Sequence, residues 1–578
     1  TDFATWIDGM PVNMPTHGHG QGYTDLNFMI PELVSTVEFR KGPYYAEVSD
    51  FSSAGAAFLT TVNRLDQGMI ETGVGENGFA RILAADSVAV AGGDFLFGVQ
   101  THVYDGPWVG VDEDLRRYNG LARYSRSNED REWNITFMGY DATWDSADQV
   151  PQRAVDSGLV PALGTIDDTV GGSSSRYSLS GSWHADINGA KFRARGYWID
   201  YELDLFSNFT YFLEDPINGD QFQQVDQRNV FGGDLSWQFA PVGRHRQTVS
   251  LMLRHDAIDE VGLFNTSRRA RIGTVRLDEV AQTSVGLFYD VDTEWTSQWR
   301  TSLGLRADYY NFDVTRSTLA ENQGSDSDFL VTPKVNIIYS PTDSTEIFFS
   351  AGRAFHSNDA RGVTIVTDPV SGEPADQVDP LVVSDGAEIG FRMFQDNRLN
   401  VSASLWYLEL ESELLFVGDA GNTEPSPPSR RSGLEIPIYY RLNDTWTVDM
   451  ELSLSRGRFE GGDQIPGTLD RVVAAGITAD SPRGWYGSAR VRYFGERPLL
   501  EDNSVRSDPS TVVNLSVGYR LENWDLRLDA LNIFDEFDDD ITYFYESRLP
   551  GEPAEGVADI HFHPMEPRQL RAYATWSF

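Results

Sequence analysis

The chain has 578 residues, more than one soluble core usually supports, so its length favours either several domains or one very large barrel. Its formal net charge of −41 argues against nucleic acid as a partner, because both surfaces would be anionic. The count of 0 cysteines excludes a disulfide framework and a thiolate metal site. No apolar run approaches the roughly 20 residues of a membrane-spanning helix. A barrel strand needs only every second residue to be apolar, so a barrel is not excluded.

The first 65 or so residues lack regular alternation and are rich in glycine and proline. They contain short mixed segments such as Leu33–Phe39 and a small-residue run, Ser52–Ala57, which suits close packing inside a wall. We predict that residues 1–65 form a small α+β unit that fills the lumen of a barrel. Residues 1–4 have neither the basic start nor the apolar core of a signal peptide, so an exported protein would be read here in a processed or truncated form.

Alternation with a period of two residues dominates from Gly68 onward. In residues 399–407, for example, leucine, valine, alanine and tyrosine alternate with asparagine, serine and tryptophan. The pattern predicts 22 strands: 68–75, 79–87, 93–104, 117–127, 131–141, 175–186, 190–201, 228–239, 246–256, 279–291, 298–311, 329–340, 344–353, 385–395, 397–410, 430–441, 444–456, 469–480, 484–495, 510–520, 523–533 and 567–578. An even strand number is what a single-chain bacterial barrel requires.

Short and long connections between these strands alternate along the chain. Turns such as 441–444 and 480–484 are tight and polar, whereas 354–385, 411–429 and 535–567 are long. Antiparallel strands place every second connection at the same end, so one end has short turns and the other has large loops. We therefore predict an all-β fold: a 22-stranded antiparallel transmembrane β-barrel over residues 66–578, with the N-terminal plug inside its lumen. The alternative is an aromatic-rich, soluble protein of several β-sandwiches.

Motifs at both ends of the chain resemble those of the TonB-dependent outer-membrane receptors. Ile7–Val12 is similar to a strand and turn of the family's plug, and Ile30–Pro43 to its helix, strand and Gly-Pro turn. Phe51–Leu59 stands where the family has small residues leading into the barrel. Leu526–Asp535 resembles the penultimate barrel strand, and Arg568–Phe578 the last one, which ends in phenylalanine. The family's earlier half of the plug and its TonB box do not appear before Thr1.

This resemblance implies a receptor in the outer membrane of a Gram-negative bacterium that imports a scarce nutrient. The cargo would be a siderophore, a metal chelate or another small organic ligand, bound at the extracellular mouth before the plug is displaced. The implied partners are the TonB–ExbB–ExbD energy-coupling complex, outer-membrane lipid and lipopolysaccharide, and the receptor would be a monomer without a cofactor. A passive porin-like channel or a surface adhesin of barrel architecture is the alternative. No nucleophile elbow, phosphate loop or paired His-Glu zinc motif supports an enzyme.

The loop over residues 10–23 carries the most reactive side chains of the presumed plug. Its ligand-binding candidates are Met14, His17, His19, Gln21 and Tyr23. Imidazole with thioether suits copper, and imidazole alone suits zinc or nickel, which makes His17 and His19 a weak candidate metal pair. The favoured interpretation is instead a glycine-rich loop whose histidines form hydrogen bonds to the barrel wall.

Further ligand candidates lie in the predicted loops near the mouth. The arginines that would form basic patches there are Arg268, Arg269, Arg271, Arg430 and Arg431. His561 and His563 precede the last strand and would share one face of an extended segment. No third metal ligand can be named beside them, so solvated loop histidines are the favoured interpretation.

Overall fold

The structure, a computed structural model, describes residues 2–48, 50–417 and 422–578. Its strands are β1 (Phe3–Ile7), β2 (Met10–Pro11), β3 (Val34–Lys41), β4 (Gly55–Thr61), β5 (Met69–Gly75), β6 (Ala80–Val90), β7 (Gly93–Tyr104), β8 (Leu115–Ser127), β9 (Arg131–Asp145), β10 (Val150–Pro151), β11 (Gly171–Ile187), β12 (Ala190–Ser207), β13 (Phe222–Gln238), β14 (His245–Ser267), β15 (Ala270–Glu294), β16 (Trp299–Ser317), β17 (Gly324–Thr342), β18 (Thr345–Ser357), β19 (Leu381–Gln395), β20 (Leu399–Leu410), β21 (Leu414–Val417), β22 (Asn422–Pro425), β23 (Ser429–Arg441), β24 (Trp446–Phe459), β25 (Arg471–Ala479), β26 (Gly484–Phe494), β27 (Ser510–Arg520), β28 (Trp524–Leu531), β29 (Asp539–Ser547), β30 (Val557–Pro564) and β31 (Gln569–Ser577). The α-helices are α1 (Gln152–Asp156) and α2 (Ala360–Val363). Neither is long or apolar enough to span a membrane.

A closed barrel contains β5–β9, β11–β20, β23–β28 and β31, each paired with its neighbours in chain order. The last strand closes the barrel on the first, since β31 pairs antiparallel with β5 from Ser577 opposite Met69 to Arg571 opposite Gly75. Each predicted strand corresponds to one of these barrel strands, so the predicted 22-stranded barrel is confirmed. Two-residue to six-residue turns join the strands at one end, here the short-turn end, and most connections at the other, the long-loop end, are longer.

The predicted connection over residues 257–278 is wrong, because most of it continues two barrel strands. β14 and β15 run for 23 and 25 residues and meet in a two-residue turn at Arg268 and Arg269. Both turn residues have positive φ, 50° and 63°, a geometry that matches the twist of the flanking strands. This hairpin projects beyond the apolar part of the wall, so its outward face carries polar residues and lacks the alternation used for the prediction.

Residues 2–62, the N-terminal unit, form a separate four-stranded sheet in the order β2-β1-β4-β3. β1 runs parallel to β4, and β3 pairs with β4 antiparallel. The predicted helix is a single 3-10 turn, Pro31–Leu33, after which the chain extends at Val34. The small-residue run packs closely as predicted: Gly55 has φ +128°, and a Cβ there would lie 2.2 Å from the carbonyl oxygen of Arg40.

Inward-facing side chains of the barrel hold the N-terminal unit by its backbone. Buried cationic and amide groups of the wall donate hydrogen bonds to its carbonyl oxygens: Arg123 to Thr61, Arg228 to Thr16, Arg254 to Asn13, Arg306 to Ala46, Lys334 to Pro43 and Asn336 to Tyr44, over 2.6–3.3 Å. The unit therefore lies inside the barrel.

Several wall arginines are neutralised by an aspartate two residues away on the same strand face. The pairs are Asp226–Arg228, Arg254–Asp256, Arg276–Asp278 and Arg306–Asp308, with nitrogen–oxygen distances of 2.6–3.0 Å. Residues i and i+2 of a strand point to the same side, so each strand supplies both members of its pair. We call these the strand-internal pairs.

The outward face of the barrel carries an exposed apolar band with aromatic rings at both edges. Leucines such as Leu253, Leu303 and Leu405 lie within it and are at least half exposed. Tryptophans stand near the short-turn end: Trp183, Trp295, Trp299, Trp446, Trp485, Trp524 and Trp576. Tyr118, Tyr177, Tyr309, Phe329 and Tyr407 lie farther toward the long-loop end. An apolar band between two aromatic girdles suits a bilayer.

Candidate functional site

The predicted ligand loop of the N-terminal unit is folded back on itself and largely buried. A bridge between Met14 and Tyr23 closes it. Met14, His17 and Gln21 are buried, with 5%, 0% and 4% of their surface exposed, whereas His19 and Tyr23 are half-buried. The structure thus brings the five predicted residues together, but three of them have almost no accessible surface.

The loop between β18 and β19 covers this ligand loop from the long-loop end. The backbone N–H of His17 donates to Asp359 Oδ2 over 3.3 Å, and Arg361 Nη2 donates to the carbonyl oxygen of His17 over 2.8 Å. The N–H of Ala360, at the start of α2, donates to Thr16 Oγ1 over 2.9 Å. Asp359 caps α2 by accepting the N–H of Arg361, so the same carboxylate orders the covering segment and binds the loop.

From the wall side, the pair Asp226–Arg228 on β13 holds the same loop. Gly18 donates its N–H to Asp226 Oδ2 over 2.9 Å, and Arg228 Nη2 donates to the carbonyl oxygen of Thr16 over 2.6 Å. Gly18 is required here, because a Cβ would lie 2.5 Å from the carbonyl oxygen of Val225. Both charged side chains are fully buried, so the loop is fixed between two ion pairs.

His17 is neutral in this environment. Burial, followed by the charges of Arg228, His19 and Arg361, holds its pKa well below the ordinary value of 6.5. Its Nδ1 accepts the N–H of His19 over 3.1 Å, so the ring proton resides on Nε2, which faces the Tyr201 hydroxyl at 3.2 Å. His19 Nδ1 lies 2.9 Å from Gln224 Oε1.

These contacts match the favoured interpretation, in which the two histidines form hydrogen bonds to the barrel wall. The described residues contain no group of three histidine, cysteine or acidic side chains arranged to hold a metal ion. Metal ligation by His17 and His19 stays a prediction, and it would require both rings to give up their present partners.

We expect the folded ligand loop to lose stability as the pH falls below about 6.5. A released His17 would bind a proton near 6.5 and the buried one would not, so each pH unit below that value costs up to about 1.4 kcal/mol. Hydrogen exchange of residues 14–23, corrected for intrinsic rates, should therefore gain about fivefold between about pH 6.5 and about pH 5.5. His17→Gln removes the titrating group and should abolish that gain; an equal gain in the variant would contradict the assignment.

Four of the five predicted loop arginines are paired with carboxylates, and Arg271 is the exception. Arg268 lies 3.3 Å from Asp168, and Arg430 lies 3.0 Å from Glu409 and 2.9 Å from Glu460. Arg269 pairs with Asp145 and Arg431 with Glu413, while Arg271 stacks on Phe264 and donates to Gln223. The patches are therefore largely neutralised, and ligand binding by these side chains stays a prediction.

The two late histidines do not form a solvated pair. His561 is fully buried: it stacks on Tyr545 at 3.7 Å, and its Nε2 lies 2.7 Å from Ser547 Oγ. Burial lowers the pKa of His561 to about 3, so it is neutral. The prediction of a solvated residue is wrong for His561, because β30 is the middle strand of a small sheet, β10-β30-β29, over the mouth. His563 is half-buried and pairs with Asp540 over 2.8 Å.

A second cluster, missed by the sequence reasoning, lies on the inner wall near the long-loop end. We call it the lumenal arginine site: His102 on β7, Arg117 on β8, and Ser174 and Arg176 on β11. Each has a buried polar atom without a hydrogen-bond partner: His102 Nε2, Arg117 Nε, Ser174 Oγ and Arg176 Nη2. The sequence does show arginines at inward positions near strand ends. It does not show that they lack partners, because that depends on the residues packed against them.

Comparison with known proteins places the chain in a family. The model of the TonB dependent receptor-like β-barrel matches residues 104–533. The metal-pseudopaline receptor CntO of Pseudomonas aeruginosa is 23% identical over 283 residues, which span 45% of this chain and only 38% of CntO.

Solved structures share the fold over the whole chain. The ferric yersiniabactin uptake receptor FyuA of Yersinia pestis superposes with a TM-score of 0.78 at 14% identity, covering 100% of this chain and 89% of FyuA. The copper transporter OprC superposes with a TM-score of 0.76 at 16% identity, covering 100% of this chain and 90% of OprC. Because the family model covers most of the barrel, the chain belongs to the TonB-dependent receptor family.

Proposed function

We propose that this protein imports a metal chelate across the outer membrane of a Gram-negative bacterium. The N-terminal unit acts as a plug, the long-loop end faces the medium, and the short-turn end faces the periplasm. A chelate binds at the mouth, and the TonB–ExbB–ExbD complex supplies the energy that displaces the plug. The plug would correspond to residues 1–65 and the barrel to residues 66–578.

The observation that carries this proposal is the occupied lumen. A 22-stranded barrel is wide enough to leak unless it is filled. Here the chain's own N-terminal unit fills part of the lumen and forms hydrogen bonds to inward-facing residues on strands from β6 to β23. A passive channel has no use for such a unit, whereas a gated receptor needs one that can move.

The choice of a metal chelate as cargo rests on a distant relative. CntO is named for a metal chelate, although the match covers 38% of its length. Binding at the mouth without catalysis also fits the family, whose members are receptors.

The proposal is tested by metal uptake in the native host. Cells grown under metal limitation receive their own spent medium loaded with radiolabelled iron, zinc, nickel or copper. We expect deletion of this gene to abolish accumulation of at least one metal and deletion of tonB to do the same, because the outer membrane holds no ATP to drive displacement.

Complementation with the full gene should restore uptake and provides the control. Uptake that needs this gene but continues without TonB would instead support a passive channel. Unchanged accumulation of all four metals would exclude a metal chelate as the cargo and would direct attention to organic ligands that co-purify with the protein.

A further inference from the structure

The lumenal arginine site holds two guanidinium groups that lack an acidic partner. Arg117 and Arg176 are not within 4.0 Å of any carboxylate among the described residues, whereas most other wall arginines are. Arg176 is 4% exposed, and its one hydrogen bond is a long one, 3.4 Å, to Ser178 Oγ. A buried cation without an anionic partner is costly, so it is retained where an anion is to be bound.

Neutral groups of the N-terminal unit occupy the places where an anion would bind. Arg117 Nη1 donates to the side-chain oxygen of Asn27 over 2.9 Å, and the Arg176 guanidinium lies 3.9 Å over the ring of Phe28. Asn119 Nδ2 donates to the carbonyl oxygen of Asn27 over 2.7 Å. An amide oxygen and an aromatic face are weak substitutes for a carboxylate, which binds a guanidinium through charge-assisted, often bidentate hydrogen bonds.

His102 extends the set of donors toward the mouth. Arg117 Nη2 lies 2.7 Å from His102 Nδ1; arginine can only donate, so Nδ1 is the acceptor and Nε2 carries the proton. That Nε2 has no partner, and neither has Arg117 Nε. Two guanidinium groups and an imidazole N–H thus offer unfilled hydrogen bonds around one segment of the N-terminal unit.

That segment, residues 24–28, is partly accessible from the lumen. Thr24, Leu26 and Asn27 are exposed, in contrast to the buried loop before them. Asp25 interacts electrostatically with both arginines, and its Oδ1 accepts the N–H and the side-chain amide of Asn27. The nearest acidic group, Asp25, therefore belongs to residues 24–28. It would leave with that segment if the segment moved.

We propose that the lumenal arginine site binds a carboxylate-bearing chelate, and that the bound carboxylates displace residues 24–28 from Arg117 and Arg176. This inference rests on the proposed function and adds to it the chemical class of the cargo. It also links ligand binding to release of the plug, because the ligand would replace contacts that hold the plug against the barrel wall.

The test uses the purified full chain in detergent with two defined probes, ferric citrate and nickel–nitrilotriacetate, in titration calorimetry. We expect wild type to bind at least one of them. Arg117→Gln and Arg176→Gln should each weaken binding roughly tenfold or more, since each removes charged hydrogen bonds to the anion. Arg176→Lys keeps the charge but loses the planar guanidinium fork. Its affinity for the probe should therefore lie between those of wild type and Arg176→Gln.

The matched control is Arg116→Gln, which removes the same charge from the outer face of the same strand. Arg116 is exposed and pairs with Asp114, so its loss should leave binding unchanged. Because the chain has 0 cysteines, a fluorophore on Asn27→Cys reports the segment selectively and should change its emission when the probe binds. Binding of neither probe, equal binding by the double glutamine variant, or an equal loss in Arg116→Gln would overturn the inference.

The same variants in the uptake assay separate the two proposals. If wild type imports a metal in a TonB-dependent way and the Arg117→Gln, Arg176→Gln double variant imports it equally well, the carboxylate site is wrong and the function stands. If wild type imports no metal, the proposed function fails, while probe binding in detergent still decides the chemistry of the site.

Discussion

A disulfide between residues 53 and 384 is expected to block uptake. Ser53 of the N-terminal unit and Ser384 on β19 are buried, and their Oγ atoms form a hydrogen bond over 2.8 Å. Cysteine is close to serine in size, so Ser53→Cys with Ser384→Cys brings two sulfurs within bonding reach. TonB-dependent uptake by the oxidised double variant should be at least about tenfold lower than that of wild type, because the plug can no longer leave the wall.

Reduction of the same cells with a membrane-permeant thiol should restore uptake. The wild-type chain contains 0 cysteines, so the single variants Ser53→Cys and Ser384→Cys cannot form an internal bond and serve as controls. Normal uptake by the fully oxidised double variant, verified by mass spectrometry, would show that this part of the unit stays in place during transport.

Replacing Arg228 by methionine is expected to release the ligand loop without opening the barrel. The substitution leaves Asp226 and the carbonyl oxygen of Thr16 without their buried cationic partner. Breaking a buried pair in this way costs about 3–5 kcal/mol, which corresponds to at least about a hundredfold gain in local opening. Hydrogen exchange followed by mass spectrometry should show this gain in residues 14–23 and little change in β26.

Arg316→Met provides the comparison for this variant. Its pair with Glu279 is exposed, at 66% and 42% of the side-chain surfaces, and such pairs contribute at most about 1 kcal/mol. Exchange in residues 14–23 should therefore match wild type. If Arg228→Met also left that exchange unchanged, the ion pair would not be what holds the loop.

The barrel could be predicted from the sequence because the pattern that specifies each strand is local in the sequence. A wall with lipid on one side and water on the other forces alternation on every strand that crosses it, and each such strand was found. The extension of β14 and β15 was missed because beyond the apolar band the outward face is largely polar, and the alternation stops.

The candidate site was less predictable, because its chemistry depends on partners far away in the sequence. The sequence predicts Arg268 as part of a basic patch, yet its carboxylate partner Asp168 lies 100 residues earlier. Burial of His561 requires β10, whose Val150–Pro151 pairs with Phe562 and His561 from the other end of the chain. The unpaired state of Arg176 likewise depends on Phe28, and no local pattern reports it.

The strand-internal pairs neutralise four wall arginines without help from the N-terminal unit. Arg254 and Arg306 already have Asp256 and Asp308 beside them, and they contribute only hydrogen bonds to carbonyl oxygens of the N-terminal unit. When the unit departs from these strands, both arginines keep their own aspartates, and water can replace each lost carbonyl. These contacts with the N-terminal unit can therefore be broken and re-formed without leaving either arginine unpaired.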